Sequence, residues 1–191
     1  MSYSDYARAF MRQNPDVLMI GEVRDEATTQ IALRAAQMGH VVLTTLHTRD
    51  APSAIARLIT LGAETSLIAS AMLGILSQRL LRRVCTHCAE PDRPDPKVMA
   101  RLPNIPKDAG FLRGRGCAHC LKSGYRGQVG VFELMHFDDD LRTKSLGGVD
   151  VKWADDVTFD RLYDDAIAKA ARGVTSLEEV LRVVPLPREA S

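Results

Sequence analysis

Two short apolar runs, Val17-Leu18-Met19-Ile20 and Val41-Val42-Leu43-Thr44-Thr45-Leu46, flank a segment of helical periodicity, and no other feature restricts the fold as strongly. The first run is entered through the turn residues Asn14-Pro15-Asp16 and ends at Gly21-Glu22. It is too short for a helix and has no polar alternation, which predicts a strand buried on both faces of a parallel sheet. Between the runs, Ala27, Ile31, Ala35 and Met38 recur at helical spacing, and Gly39 supplies the residue that commonly stops a helix. Strand, helix, strand is the unit that places two strands parallel in one sheet. Glu22 and His47 then emerge at the carboxyl ends of the two strands, where open α/β sheets bind ligands. Taken singly, such a Glu is more often a helix-start anion than a catalyst, and such a His more often a surface residue.

Further along, Asp50 caps a predicted helix with Pro52 in its first turn, ending at Gly62. Ile68, Met72, Ile75 and Leu76 predict a second helix from about Ser66 to Arg83, with Arg79, Arg82 and Arg83 at its negative pole. The proline- and charge-rich stretch from Glu90 to Asp108 reads as a loop. Gly124-Tyr125-Arg126-Gly127 turns into a strand-like Gln128–Met135, and Asp138-Asp139-Asp140 reads as a solvated bend. A helix is expected over Phe159–Arg172. Ser176-Leu177-Glu178-Glu179 has the spacing of a capping box opening a last helix to Val184.

Composition excludes several classes. A hydrophobic fraction of 46% with 26% charged residues is that of an ordinary globular chain. Twenty-five basic against 24 acidic residues leave almost no net field, which argues against nucleic acid as a partner. The start lacks the apolar core of a signal peptide and no run is long and uncharged enough to span a bilayer, so the expected location is cytoplasmic. In a reducing compartment, Cys85-Thr86-His87-Cys88 and Cys117-Ala118-His119-Cys120, with 28 residues between them, point to a tetrahedral Zn²⁺ held by Cys85, Cys88, Cys117 and Cys120. Disulfides and a redox dithiol are the competing readings. His87 and His119 are expected outside the ligand shell.

Leu18-Met19-Ile20-Gly21-Glu22-Val23-Arg24-Asp25 and Gly39-His40-Val41-Val42-Leu43-Thr44-Thr45-Leu46-His47-Thr48 resemble the atypical Walker B and histidine boxes of the ATPases that power type II secretion and type IV pilus assembly, of the general secretory pathway protein E type. The resemblance continues through Arg12-Gln13-Asn14-Pro15-Asp16, Leu76-Ser77-Gln78-Arg79-Leu80, Gly124-Tyr125-Arg126-Gly127 and Gly173-Val174-Thr175-Ser176-Leu177-Glu178-Glu179-Val180. It is weakest over Asp92–Arg115 and Arg142–Asp160. It implies that Glu22 acts on Mg²⁺ and the attacking water and that His47 lies near the γ-phosphate of ATP, roles suited to phosphoryl transfer. Arg24 and Asp25 also match the motif as weaker cofactor-binding candidates; helix-start and surface charges are their alternative reading. Members of this family carry a comparable cysteine excursion.

No G-x-x-x-x-G-K-[ST] occurs in the sequence. Gly116 through Lys122-Ser123 has Leu121 where that pattern needs glycine, so it forms no phosphate cradle. The expectation is a segment of a longer polypeptide, a truncated reading frame or half of a split motor, binding ATP and Mg²⁺ only with an upstream segment and inactive alone. The implied fold is α/β, the C-terminal part of a RecA-like P-loop ATPase domain: residues 1–84 a partial core, 85–120 a zinc-binding excursion, 121–191 a returning strand and small helical subdomain. The implied setting is a hexameric ring acting on an inner-membrane platform and on secretion or pilus proteins. The alternatives are a zinc-stabilised, non-catalytic interaction module and a DNA-translocating RecA-like ATPase, the latter disfavoured by the balanced charge.

Overall fold

The computed structural model describes residues 3–100, 102, 104–106, 108–146 and 159–184. These divide into two compact units, one drawn from Met1–Ile75 and Met135–Thr158, the other from Leu76–Leu134 and Phe159–Ser191.

In the first unit, helix α1 (Tyr3–Met11) precedes strand β1 (Val17–Ile20), helix α2 (Glu26–Gln37) and strand β2 (Val41–Thr44). β1 and β2 pair in parallel, with Val17 opposite Val41 and Ile20 opposite Thr44, as the apolar runs predicted; the expected burial on both faces is not found, since Val17, Met19, Val41 and Leu43 are exposed. Asp25 starts α2 by accepting the Thr28 N–H at 2.8 Å, and Gly39 leaves it with φ of 98°, a conformation that a residue with a Cβ adopts only at a cost. Ile20, Val23 and Ala32 form a buried cluster with Val42, Leu46 and Leu61 against it. Helix α3 (Ala51–Thr60) is capped by Asp50, whose carboxylate accepts the Ser53 N–H at 2.9 Å. Helix α4 (Thr65–Ala71) follows.

Here one expectation fails. The predicted helix Ser66–Arg83 stops at Ala71, and Gly74–Val84 is strand β3. Burial in β3 alternates as a strand requires, with Ser77 and Leu81 inside and Leu76 and Leu80 outside. Its partner, β6 (Tyr125–His136), lies far along the sequence, and that long-range pairing overrides the helical spacing of Ile68, Met72 and Ile75. Arg79, Arg82 and Arg83 therefore lie along a strand and complement no helix dipole.

The Glu90–Asp108 stretch is also more regular than expected, carrying β4 (Ala89–Pro91) and α5 (Pro96–Met99). β4 pairs antiparallel with β5 (Leu112–Gly114), with Glu90 opposite Arg113 and joined to it by an ion pair of 2.9 Å. The predicted bend at Asp138-Asp139-Asp140 is a helix start. Asp138 accepts the Leu141 N–H at 2.8 Å and opens α6 (Asp139–Leu146), whose Arg142 holds the Ala69 and Met72 carbonyls at the end of α4.

The second unit has its own core. Leu81 of β3 and Val131 of β6 pack with Leu162, Ala166, Ile167 and Ala170 of α7 (Leu162–Ala171) and with Leu177 and Val180 of α8 (Leu177–Val183). Ser176 caps α8 by accepting the Glu179 N–H at 3.2 Å, but the Glu179 carboxylate does not return the bond as a capping box requires. It accepts from two arginines instead.

Candidate functional site

The parallel pairing of β1 and β2 carries the chain forward on both strands, so Glu22 and His47 leave the sheet at the same end. Glu22 Oε1 lies 2.9 Å from His47 Nε2, and Glu22 Oε2 accepts from Arg24 Nε and Nη2 at 2.6 Å each. The Glu22 side chain is 20% exposed, against 76% for Arg24 and 86% for His47. Hydrogen bonding from Arg24 holds the Glu22 carboxyl below its ordinary value, with a smaller contribution from His47. An ionised carboxylate accepts hydrogen bonds and donates none. Held low, it is a weak base, suited to orienting a water or facing a cation more than to removing a proton. Its present partners are solvent-exposed, so a ligand can displace them.

The sequence placed Glu22 and His47 together, and the structure brings them into contact. Arg24 joins them. Asp25 points elsewhere: its carboxylate is spent on the first turn of α2, and the Thr28 backbone N–H holds its pKa below the usual range.

The four cysteines form a second cluster, within the second unit. All are free thiols, and their sulfurs lie within 4.8 Å of one another, a donor set able to hold one metal ion. Cys85 Sγ is 3.9 Å from Cys117 Sγ, and Cys120 Sγ is 3.8 Å from both Cys88 Sγ and Cys117 Sγ. Backbone amides point at these sulfurs: Gly116 N to Cys88 at 3.3 Å, Cys117 N to Cys120 at 3.2 Å and Gly124 N to Cys120 at 3.3 Å. The Cys117 amide leads in lowering the Cys120 thiol to about 6, while burial pushes Cys88 up to about 12. Thiols packed this closely cannot all ionise without a cation among them. His87 and His119 stack on each other with ring centroids 4.0 Å apart and are exposed; neither joins the ligand set.

A pass along the sequence for chemistry overlooks Glu179. Its carboxylate is fully buried and accepts from Arg82 N at 3.0 Å, Arg82 Nη2 at 2.6 Å, and Arg182 Nε and Nη2 at 2.8 Å each. Burial would raise its pKa, but these bonds dominate and bring it to about 2. The Arg82 guanidinium lies 4.0 Å over the Tyr125 ring, and the Tyr125 hydroxyl is 2.7 Å from Ser176 Oγ. The spacing of Glu179 and Arg182, one helical turn apart, was the available signal.

The profile of the family described as "Type II/IV secretion system protein" matches residues 1–182. The chain belongs to this family. The resemblance carried by the Glu22 and His47 motifs is thereby borne out. Among secretion-system relatives, the type II secretion system protein E of Pseudomonas aeruginosa is 43% identical over 187 residues, covering 96% of this chain and 37% of that protein. The type IV pilus assembly ATPase PilB of Thermus thermophilus is 40% identical over 188 residues, covering 95% of this chain and 21% of that protein. The chain thus spans 21% to 37% of the length of these two relatives. The pilus retraction motor PilT, solved with bound ADP, superposes with a TM-score of 0.70 at 24% identity over 99% of this chain and 45% of that one. The ATPase DotB of Legionella pneumophila gives 0.67 at 21% over 95% and 42%. The fold of this family member is therefore the RecA-like α/β fold of secretion and pilus ATPases. Among the described residues no helix is long and apolar enough to cross a membrane.

Proposed function

We propose that this chain supplies the Walker B glutamate, the histidine box and a structural zinc module to an ATP-hydrolysing motor that powers type II secretion or type IV pilus assembly. The observation that carries the reading is the 2.9 Å contact between Glu22 and His47 at the carboxyl ends of two parallel strands, in a member of this family. In this reading Glu22, ionised at neutral pH, orients the attacking water, and His47 contacts the departing phosphate from the neighbouring strand end. Bound Mg²⁺ would supply charge neutralisation on the phosphates. Arg24, on the same carboxylate, holds Glu22 anionic until a ligand takes its place. Asp25 serves first as the cap of α2. The motor works as a hexameric ring in the cytoplasm, peripheral to the inner membrane through a platform protein.

The cysteine cluster fits Zn²⁺ in particular. Sulfurs about 2.3 Å from a tetrahedral zinc lie about 3.8 Å from one another; three of the six pairs stand at 3.8 or 3.9 Å, and all lie within 4.8 Å. Four thiolates complete the shell and leave no open position, as in a structural site.

A zinc-stabilised module without catalysis is the second reading, favoured by the separate core of the second unit and the lack of a G-x-x-x-x-G-K-[ST] within these residues. One experiment separates the two. A full-length relative carrying residues 1–182 in place of its matching segment is assayed for phosphate release. Turnover that depends on Glu22 and His47 supports the motor; turnover indifferent to both leaves the module.

A further inference from the structure

We propose that Thr45 is a positioning residue, strapping the Gly21–Val23 segment to the end of β2 so that Glu22 stays opposite His47. Thr45 meets the continuation of β1 on both sides of Glu22. Its hydroxyl donates to the Gly21 carbonyl oxygen at 2.6 Å, and its own carbonyl accepts the Val23 N–H at 3.2 Å. Glu22 is the residue between those two anchors.

The strap sits where it is needed. The regular β1–β2 register ends at Ile20 opposite Thr44, and beyond a ladder's end neighbouring strands diverge by their twist. Thr45 is the first residue past that point, and His47 follows two residues later. One residue therefore fixes the backbone that carries the carboxylate and lies in the short segment that carries the imidazole. Leu46, between them, packs on the Ile20, Val23 and Ala32 cluster and holds the segment down from its other side. The contact between Glu22 and His47 themselves is made through side chains, and the imidazole is largely exposed. Loss of the strap leaves both residues in place and lets the distance between them drift. A misplacement of about 1 Å in a catalytic group costs on the order of 10²-fold in rate.

The catalytic part of this inference rests on Glu22 and His47 being the reaction centre; the strap itself does not. Thr45→Val keeps the β-branched shape and strand preference and removes only the hydroxyl. Thr45→Ser keeps the hydroxyl. In the 191-residue chain, amide exchange at Val23 should quicken about 2- to 10-fold in Thr45→Val, the range expected for one net hydrogen bond, and stay near wild type in Thr45→Ser. Nuclear Overhauser contacts between the Glu22 γ-protons and the His47 ring should disappear in the first variant and persist in the second. In the full-length chimera, kcat should fall about 10- to 100-fold in Thr45→Val with KM nearly constant, and Thr45→Ser should restore it. Unchanged exchange and unchanged ring contacts in Thr45→Val overturn the strap. Altered contacts with undiminished turnover, while Glu22→Gln is inactive, overturn the positioning role. Full activity of Glu22→Gln would instead remove the reaction-centre reading and leave the strap standing. If Thr45→Val does not fold, a crystal structure of the unsubstituted chain decides: a hydroxyl turned away from Gly21 overturns the proposal.

Discussion

Glu22 and Glu179 each contact two basic side chains, and the contrast between them separates a group available for chemistry from one committed to structure. Glu22 faces Arg24 and His47, both largely in solvent. Glu179 is fully enclosed, and besides Arg82 and Arg182 it takes a main-chain donor, Arg82 N. Both carboxyls are lowered against some pull from burial, Glu22 chiefly by one exposed hydrogen-bond partner and Glu179 by several bonds that together outweigh a larger burial effect. A carboxylate whose partners are solvent-exposed can exchange them for water, cation or phosphate. One locked to backbone cannot do so without breaking the fold around it.

The largest effect expected is confined to the Glu179 side of this contrast. Metal analysis of protein prepared under reducing, chelator-free conditions should give one zinc per chain, bound by Cys85, Cys88, Cys117 and Cys120. Chelation should lower exchange protection around both cysteine pairs, since the metal is what ties the four thiolates to one another. The β1–α2–β2 segment, whose buried cluster contains none of these cysteines, should keep its protection. Zinc absent from such a preparation, or a Cys85–Cys88 disulfide in freshly lysed cells, would restore the redox reading.

Next in size is the loss of function at Glu22. In the full-length chimera, Glu22→Gln and His47→Ala should each lower turnover by about 10² to 10⁴, the usual cost of a positioned acid–base or orienting group. Neither should change the denaturation midpoint measurably, because each of the two ion pairs of Glu22 has one largely exposed member. Turnover close to wild type in both variants would overturn the assignment. The 191-residue chain itself, which contains no P-loop sequence, should release no phosphate at a typical enzyme rate, on the order of 1 per second.

At Glu179 the expectation is inverted. Its folded pKa is about 2 against an ordinary 4.5, so the unfolded chain binds the proton more readily. The stability it confers is complete above about pH 4.5 and is lost as pH falls towards 2. A shift of that size corresponds to ~3 kcal/mol; with the Arg82 and Arg182 side chains 42% and 58% exposed, solvent screening reduces the expected contribution to ~1–2 kcal/mol. Denaturant titrations at pH 7, 4 and 2.5 should show that much convergence between wild type and Glu179→Gln. Parallel curves at the three pH values would show that the arginines do not hold the charge.

The same contrast explains what could be read from the sequence. The β1–α2–β2 unit is local: its apolar runs, the Asp25 cap and Gly39 lie within about one helix of each other, so spacing alone gives the pairing and puts Glu22 beside His47. The cysteine pairs announce themselves by spacing too. What escaped depends on partners far along the chain. β3 carries apolar residues that satisfy helical spacing up to Leu76, and only its pairing with β6 makes Ser77 and Leu81 the inner row. Glu179 fits a capping box by sequence, yet two guanidiniums, one of them 97 residues away, outcompete the local amide. Thr45 lay inside a recognised motif, but nothing in one-dimensional spacing shows that its hydroxyl reaches back to Gly21.

The smallest expected effect decides between the two readings of Asp25. Its carboxylate accepts the Thr28 N–H at 2.8 Å, and its carbonyl accepts from Thr29 Oγ1 at 2.8 Å, so geometry assigns it to the start of α2. Asparagine caps a helix about as well as aspartate, whereas alanine does not. Asp25→Asn therefore preserves the cap and removes the charge, and Asp25→Ala removes both. If capping is the whole role, Asp25→Asn should leave stability and chimera turnover within about twofold of wild type, and Asp25→Ala should destabilise α2 with turnover following stability. A loss on the order of 10²-fold in Asp25→Asn at unchanged stability would be a charge effect on the reaction. Asp25 would then belong with Glu22, its cap hydrogen bond being the resting arrangement of a residue that turns towards the ligand.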